Sequence, residues 1–540
     1  VQRLADQAID FDLGDEFILA EFGRVTGDGF TVGERSYDVV VLPPGTRNLL
    51  RSTLDLLTAW LEKGGKVLSC AGGGLIWIDG REDREALKKL AAFPGWEEIS
   101  GLAWSETLGH RLAKLAPPKV TLPGRSKLPD QVYHHCRELE DGERLHLFVN
   151  SGTEKAVFDA RIEGGHVRRL DTFNGSLHPH PAIADGKGLR VRVELERTGH
   201  LLLLSGPEVR ATGEAPAASA VSSGRFFEFA SFENVRRVEP NALTLDFCDL
   251  RTDGDWRRDR YVRAASHELW KAHGRPSPPW SWAVQFRRNL IDTRFGENTG
   301  FDCEYHFDTG DLGEEALRGI DLAVEWPRLY RITINGAELS FDGAETWMDC
   351  RIGRVRAGHL LRPGPNTVRL SCRPLHILAE IGPAWLLGDF SLQAADKGFR
   401  LAAARPLEPG AWFSQGMPFY HETVAYDASF ETAEPSTRFR IRLGNLRASS
   451  FSKAWIDDHP LGVAQFPPHE LAGTRKLAAG RHRLRVEVAG NWKNLIGPHF
   501  GEVPVPVPDA WEKFSVPRPS GDQYRFDSYG LLEPVRLELW

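Results

Sequence analysis

Three segments of the chain carry side chains able to hold a hydroxylated ring. Trp347 and Asp349 stand two apart in ETWMDCRIG, His421 sits in PFYHETVAY, and Trp492, Asn494 and His499 share the turn-rich GNWKNLIGPHFGE. An indole offers an apolar face for stacking, and carboxylate, amide and imidazole groups satisfy hydroxyls, so the combination suits an oligo- or polysaccharide. Each segment also has a plainer reading. Trp347 beside Asp349 fits a core indole next to a solvated acid, and Trp385 in GPAWLLGDF precedes a strand and reads as core. The loop around Trp492 has the composition of a surface that docks on another domain, which is the favoured reading for it. PFYHETVAY, if extended, puts Phe419 and His421 on one face and Tyr420 and Glu422 on the other.

Other ligand-like groupings are weaker. Glu304, Asp308, Asp311 and Glu315 could supply oxygens to a structural calcium but lack the fixed spacing of a calcium loop; otherwise no cofactor is expected. His134, His135 and Cys136 are consecutive, and neighbours on an extended segment point opposite ways, so they read as structural. Gly72-Gly73-Gly74 follows a strand without the residues of a nucleotide loop and reads as a turn. The six cysteines are scattered; Cys303, Cys350 and Cys372 share one predicted domain, which leaves a disulfide among them open.

The elements that position these groups begin with an α/β stretch. FILA (Phe17 to Ala20), YDVVVLPPG and KVLSCAGGG read as strands, and Leu50, Leu54, Leu57, Trp60 and Leu61 mark a helix ending at Gly64-Gly65. Strand, helix and strand in that order make a parallel βαβ unit. Cys70 lies at a strand end where a nucleophile could sit, and the stretch resembles the class I glutamine amidotransferase fold. That family wants Gly-x-Cys-x-Gly, whereas Leu68 fills the first glycine position here, so a buried structural cysteine is the favoured reading.

After a connector, five alternating runs between about residues 143 and 206 predict a small β-sandwich. Residues 207–224, small and aperiodic, read as a linker. Beyond it, YRITINGAEL turns at Asn335-Gly336 and is followed by LRPGPNTVRL; FSKAWIDDHPLG and RKLAAGRHRLRVEV repeat the arrangement about 130 residues later, which suits two copies of a sandwich domain. The expected domains are 1–115 (α/β), 116–206 (connector and small β-sandwich), 207–224 (linker), 225–395 (first jelly roll) and 396–540 (second jelly roll). The expected fold class is therefore multidomain and mostly β.

Composition narrows the function classes. Of the 540 residues 41% are hydrophobic and 26% charged, no stretch of about 18 apolar residues could span a membrane, and a formal net charge of -7 argues against a nucleic-acid partner. The first residue is Val1 and the opening has no signal-peptide pattern, which suggests either processing or missing upstream sequence.

YDVVVLPPGTRNLLRSTLDLLTAWLEKGGKVL followed by a small sandwich resembles the non-catalytic domain that follows the barrel in large glycoside hydrolases, including the trimerisation domain of certain β-galactosidases. NALTLDFCDL, ITINGAEL, LRPGPNTVRL and AWLLGDFSL resemble their galactose-binding-like jelly rolls, and GMPFYHETVAY, NLIGPHFGE and YGLLEPVRL look like the carboxyl end of relatives of the α-L-rhamnosidases. The resemblance implies an accessory half of a carbohydrate-active enzyme, with the catalytic barrel as an upstream partner, oligomer formation through the α/β domain and a slight preference for a periplasmic or secreted protein. No catalytic residue is carried over, because a barrel needs about 250 residues of strand–helix repeats and only about 115 here have that character. A free-standing glycan-binding or scaffold protein is the alternative.

Overall fold

Leu54, Leu57 and Leu61 recur at helical spacing, and they form the buried stripe of helix Arg51–Glu62. Gly64 lies at φ 85, its amide donates to the Leu61 carbonyl and that of Gly65 to Trp60, a Schellman closure that only a residue free to adopt αL makes without strain. The helix joins strand Val39–Leu42 to strand Lys66–Ser69, which pair in parallel, with Trp96–Glu98 on the other side. The run FILA differs from expectation. The Asp15 side chain accepts from the amides of Phe17 and Ile18 and starts helix Glu16–Phe22; a four-residue apolar run cannot separate strand from helix, and here the cap decides.

In this computed structural model the described residues are all but 1, 28, 102, 173–174, 187, 207–223, 280–291, 445, 447–448, 498 and 501–516. The expected linker thus lies outside the described residues except for residue 224. The chain forms two units, Val1–Ser222 and Ser223–Trp540, and among the described residues its strands, paired mainly antiparallel, far outnumber its helices.

In the first unit, two sheets pack face to face behind the α/β part. One contains Ala156–Glu163 and Gly188–Leu195; the other contains Val132–Glu138, Arg144–Asn150, His200–Gly206 and His166–Leu170. Val132–Glu138 falls in the stretch expected to be connector, and it alternates as a strand must. His134 points into the core, where its Nε2 lies 3.2 Å from Nδ1 of His146, while His135 faces out toward Asp10. Phe148 and Phe158 complete this core, each such ring adding roughly 1.5–3 kcal/mol by leaving water.

The second unit holds two larger sandwiches. In the first, a sheet ordered Asn241–Leu245, Ala384–Gly388, Asp321–Glu325, Asp349–Arg356, Glu345–Trp347 faces a second sheet built on Phe247–Arg251, Phe301–Asp308, Pro365–Cys372 and Arg331–Ile334. Asn335 and Gly336, at φ 51 and 85, make the two-residue turn between Ile334 and Ala337; Asp457 and Asp458, at φ 53 and 62, make the same turn between Ile456 and His459 in the other sandwich. The second sandwich draws on both ends of the unit. Strand Arg225–Phe229 pairs with Val535–Leu539 and strand Asn234–Arg237 with Thr423–Thr432, so the start of the stretch expected as the first jelly roll belongs to the second sandwich. All six cysteines are free thiols, Cys303 and Cys372 buried and Cys350 exposed.

The two buried imidazoles of the first unit make its stability depend on pH. Burial first, then the facing His146, lowers His134 to about 3; burial, then Arg144, lowers His146 to about 4. Both titrate near 6.5 when unfolded, so the unfolded chain takes up protons first and stability falls as pH drops below about 6.5, by up to about 1.4 kcal/mol per pH unit per histidine. Amide exchange in strand Val132–Glu138 is expected to accelerate between pH 7 and pH 5 after correction for intrinsic rates, and His134→Phe is expected to flatten the dependence. An unchanged opening free energy across that range would contradict the assignment.

Candidate functional site

Strand Asp321–Glu325 positions the site. Ala323 lies opposite Trp385 in the neighbouring strand, so both side chains stand on the same face, and Glu325, two residues on, shares it. Ala323 is small, and over it Trp347, from the edge of the sheet, reaches Trp385, with ring centroids 5.4 Å apart and edge to face. His421 arrives from the second sandwich and meets Trp347 at 5.8 Å. Trp347 is half-buried, whereas Trp385 and His421 are buried.

Three shielded polar atoms at this spot make no hydrogen bond of good geometry to a described residue: Nε1 of Trp385 and Nδ1 of His421, which have no partner, and Nε2 of His421, which has only a charge contact. An unpaired buried donor or acceptor of this kind costs roughly 1–3 kcal/mol. The other imidazole nitrogen of His421 lies 3.1 Å from the Glu422 carboxylate, and that contact holds Glu422 below the usual carboxylate range.

The backbone around the site is strained as well. Met348, at the tip of the hairpin between Glu345–Trp347 and Asp349–Arg356, has φ 61, and Trp326, directly after Glu325, has φ 48. Bulky residues rarely take the left-handed region, which costs on the order of 1–3 kcal/mol. The Arg351 guanidinium lies 5.2 Å over the Trp326 ring, and the Arg351 amide donates to the Asp349 carboxylate at 2.8 Å. Arg263, from helix Val262–Ala272, pairs with Glu380 at 2.8 Å. The assembly offers a half-buried indole face and several carboxylates, which together can hold a hydroxylated ring by stacking and hydrogen bonding.

The sequence candidates therefore divide. Trp347 and His421 come together, and Asp349 sits beside them on the exposed hairpin tip. Asn494 and His499 do not join them. The Asn494 side chain exchanges two hydrogen bonds with the Asp527 backbone, at 2.9 and 2.8 Å. His499 donates from Nε2 to the Asn494 carbonyl at 2.8 Å and turns Nδ1 toward Asp246 at 3.5 Å. Both are 2% exposed and act as internal braces, while Trp492 is 55% exposed on its own. The expected face division in PFYHETVAY also fails. The strand starts only at Thr423, and Phe419, Tyr420 and His421 are all buried, Phe419 in the core of the first sandwich and Tyr420 in that of the second.

Sequence reasoning missed Glu325, Trp326, Arg351, Glu380 and Arg263, and read Trp385 as core only. The one local hint was Glu325-Trp326-Pro327, a charge and an indole closing an apolar strand.

Two other features compete for attention. Asp249, Glu304 and His306 lie within 4.8 Å of one another, the ligand types a metal takes, but guanidiniums already hold the acids: Arg258 on Asp249 and Arg369 on Glu304. Arg251, Arg258 and Arg369 all stack around Trp256, within 4.6 to 5.7 Å, which makes a self-contained ionic network. Of the four acids considered for calcium only Glu304 belongs to it; Asp308 caps its own turn through the Gly310 amide. Two concavities lie elsewhere, one of about 600 Å³ between Phe227, Phe232 and Phe430 and one of about 290 Å³ beside Asn150. Neither contains a sequence candidate. Cys70 is buried, and burial followed by the Glu98 charge pushes its thiol up, the reverse of an activated nucleophile.

No protein-family model and no curated protein matches the chain. Among solved structures it is similar to a rhamnosidase from Novosphingobium sp. PP1Y, with 14% identity over 97% of this chain and 35% of that one and a TM-score of 0.43. It is also similar to an exo-carrageenase from Bacteroides ovatus, with 14% identity over 38% of this chain and 26% of that one and a TM-score of 0.26. A third is α-L-fucosidase isoenzyme 2 from Paenibacillus thiaminolyticus, with 13% identity over 38% of this chain and 44% of that one and a TM-score of 0.24. The chain spans about a third of the length of the first.

The contrast between unpaired and paired buried groups is measurable. His421→Leu removes an imidazole with an unpaired nitrogen and is expected to leave the melting temperature unchanged or raised. Asn494→Ala removes two buried hydrogen bonds and is expected to lower stability by about 2–3 kcal/mol in urea denaturation. Equal losses in the two variants would mean that His421 is an ordinary brace.

Proposed function

We propose that this chain is the carbohydrate-handling accessory half of a multidomain glycoside hydrolase, and that it holds an oligo- or polysaccharide at Trp347 for a catalytic barrel carried outside these residues. One observation carries the reading: a half-buried indole sits against two buried ring nitrogens that no described residue engages. Fully satisfied polar groups would mark a structural junction, whereas unengaged ones carry a desolvation cost that a ligand's hydroxyls relieve once Trp347 shifts to admit them. Two strained bulky residues flank the same place, as they do at sites where geometry serves binding. The resemblance of the α/β and sandwich motifs to accessory domains of glycoside hydrolases agrees with this reading, as does a net charge that disfavours polyanionic partners.

Native gels containing soluble plant or microbial polysaccharides test it. Retardation of the chain by at least one glycan is expected, with loss of retardation in Trp347→Ala and partial loss in Trp347→Phe, both with an unchanged far-ultraviolet dichroism spectrum. Migration unaffected by every glycan overturns the binding role. The accessory role predicts that the 540-residue chain alone releases no chromophore from aryl glycosides, and measurable turnover by it would refute that part.

A further inference from the structure

Glu325 stands on the same sheet face as Trp385, at the end of its strand and half-buried. Unlike the other carboxylates of this neighbourhood, it has no ion pair or hydrogen bond to a described residue: Glu380 is held by Arg263, Glu422 by His421, and Asp349 by the Arg351 amide. We propose that Glu325 is the specificity-determining residue of the Trp347 site, bonding a hydroxyl of an uncharged saccharide and turning acidic sugars away; this rests on the saccharide-binding reading above.

The surrounding charge supports the second half of that statement. Glu380, Asp349 and Arg351 face Glu325 from the neighbouring loop and hairpin, Arg263 from helix Val262–Ala272, and the second sandwich adds His421 and Glu422 to the site. The acids outnumber the guanidiniums, Arg263 is already bound to Glu380, and Arg351 is stacked on Trp326. A sugar carboxylate would meet net negative charge with no guanidinium fork turned to receive it. A hydroxyl meets a group that can accept or, when protonated, donate. Burial first, and then the Glu380 charge, raises the Glu325 carboxyl above its ordinary range, which favours the protonated donor as pH falls.

The test compares retardation in gels of neutral galactan, arabinan or xylan with retardation in polygalacturonate at matched ionic strength. Wild-type chain is expected to be retarded by a neutral glycan and at least tenfold less by polygalacturonate. Glu325→Ala is expected to weaken neutral binding at least tenfold, while the isosteric Glu325→Gln keeps it within about threefold and removes the pH dependence that Glu325 confers as pH falls. A neutral-to-acidic selectivity unchanged in Glu325→Ala overturns the assignment of Glu325 and leaves the saccharide site standing. Retention of polygalacturonate as strong as that of neutral glycans also overturns it. Absence of retention on any glycan in the wild type defeats both readings together.

Discussion

Three strands of the sheet that carries Trp385 and Glu325 have almost no wet face, and the second unit is arranged around that fact. Every residue of Asn241–Leu245 and Ala384–Gly388 is buried, as are Asp321 to Val324, so one face packs on its partner sheet while the other needs a cover. Runs of this kind, apolar on both sides, demand material on both. Loops of the second sandwich provide it. The Thr244 hydroxyl donates to the Leu495 carbonyl, and the Asn241 side-chain amide donates to the carbonyls of Phe390 and Gly416. Burying those polar groups without such partners would be strongly unfavourable, which ties the two sandwiches into one packed body.

That tie explains why Asn494 and His499 resemble ligand-binding residues in the sequence and serve as braces in the fold. A polar loop next to aromatic residues has the same composition whether it meets a ligand or another part of the chain, and the partners of Asn494 and His499, Asp527 and Asp246, lie far away in sequence. Local features were legible. Gly64-Gly65 closes its helix and Asn335-Gly336 turns its hairpin, because each requires a backbone conformation that few residues adopt. FILA was not, since one aspartate outside the apolar run determines its helix. Glu325 was not either: nothing local to an apolar strand reveals that the charge at its end shares a sheet face with Trp385.

Other buried groups of the unit, Trp270 and Ser266 among them, also lack a hydrogen-bond partner among the described residues; the Trp347 site differs in gathering such atoms beside a half-buried indole. Asp302, for comparison, is surrounded by Ser371, Arg251 and Arg373, and its carboxyl stays below the usual range despite burial. Near Trp347, ring nitrogens stand unengaged and two bulky residues hold positive φ. Natural chains agree with themselves at most levels, and a place where several disagreements meet is a candidate for function.

The topology of the second unit has a consequence for how the chain comes together. Arg536 reaches Glu228 across 308 residues, so the first sandwich is threaded between the opening and closing strands of the second. On a ribosome adding roughly 5–20 residues per second, the edge strand Arg225–Phe229 waits some tens of seconds for its neighbour. Phe226, 54% exposed even in the finished protein, waits with it. A clasp that shuts only when its last tooth emerges leaves the newborn chain dependent on whatever keeps that edge from strangers.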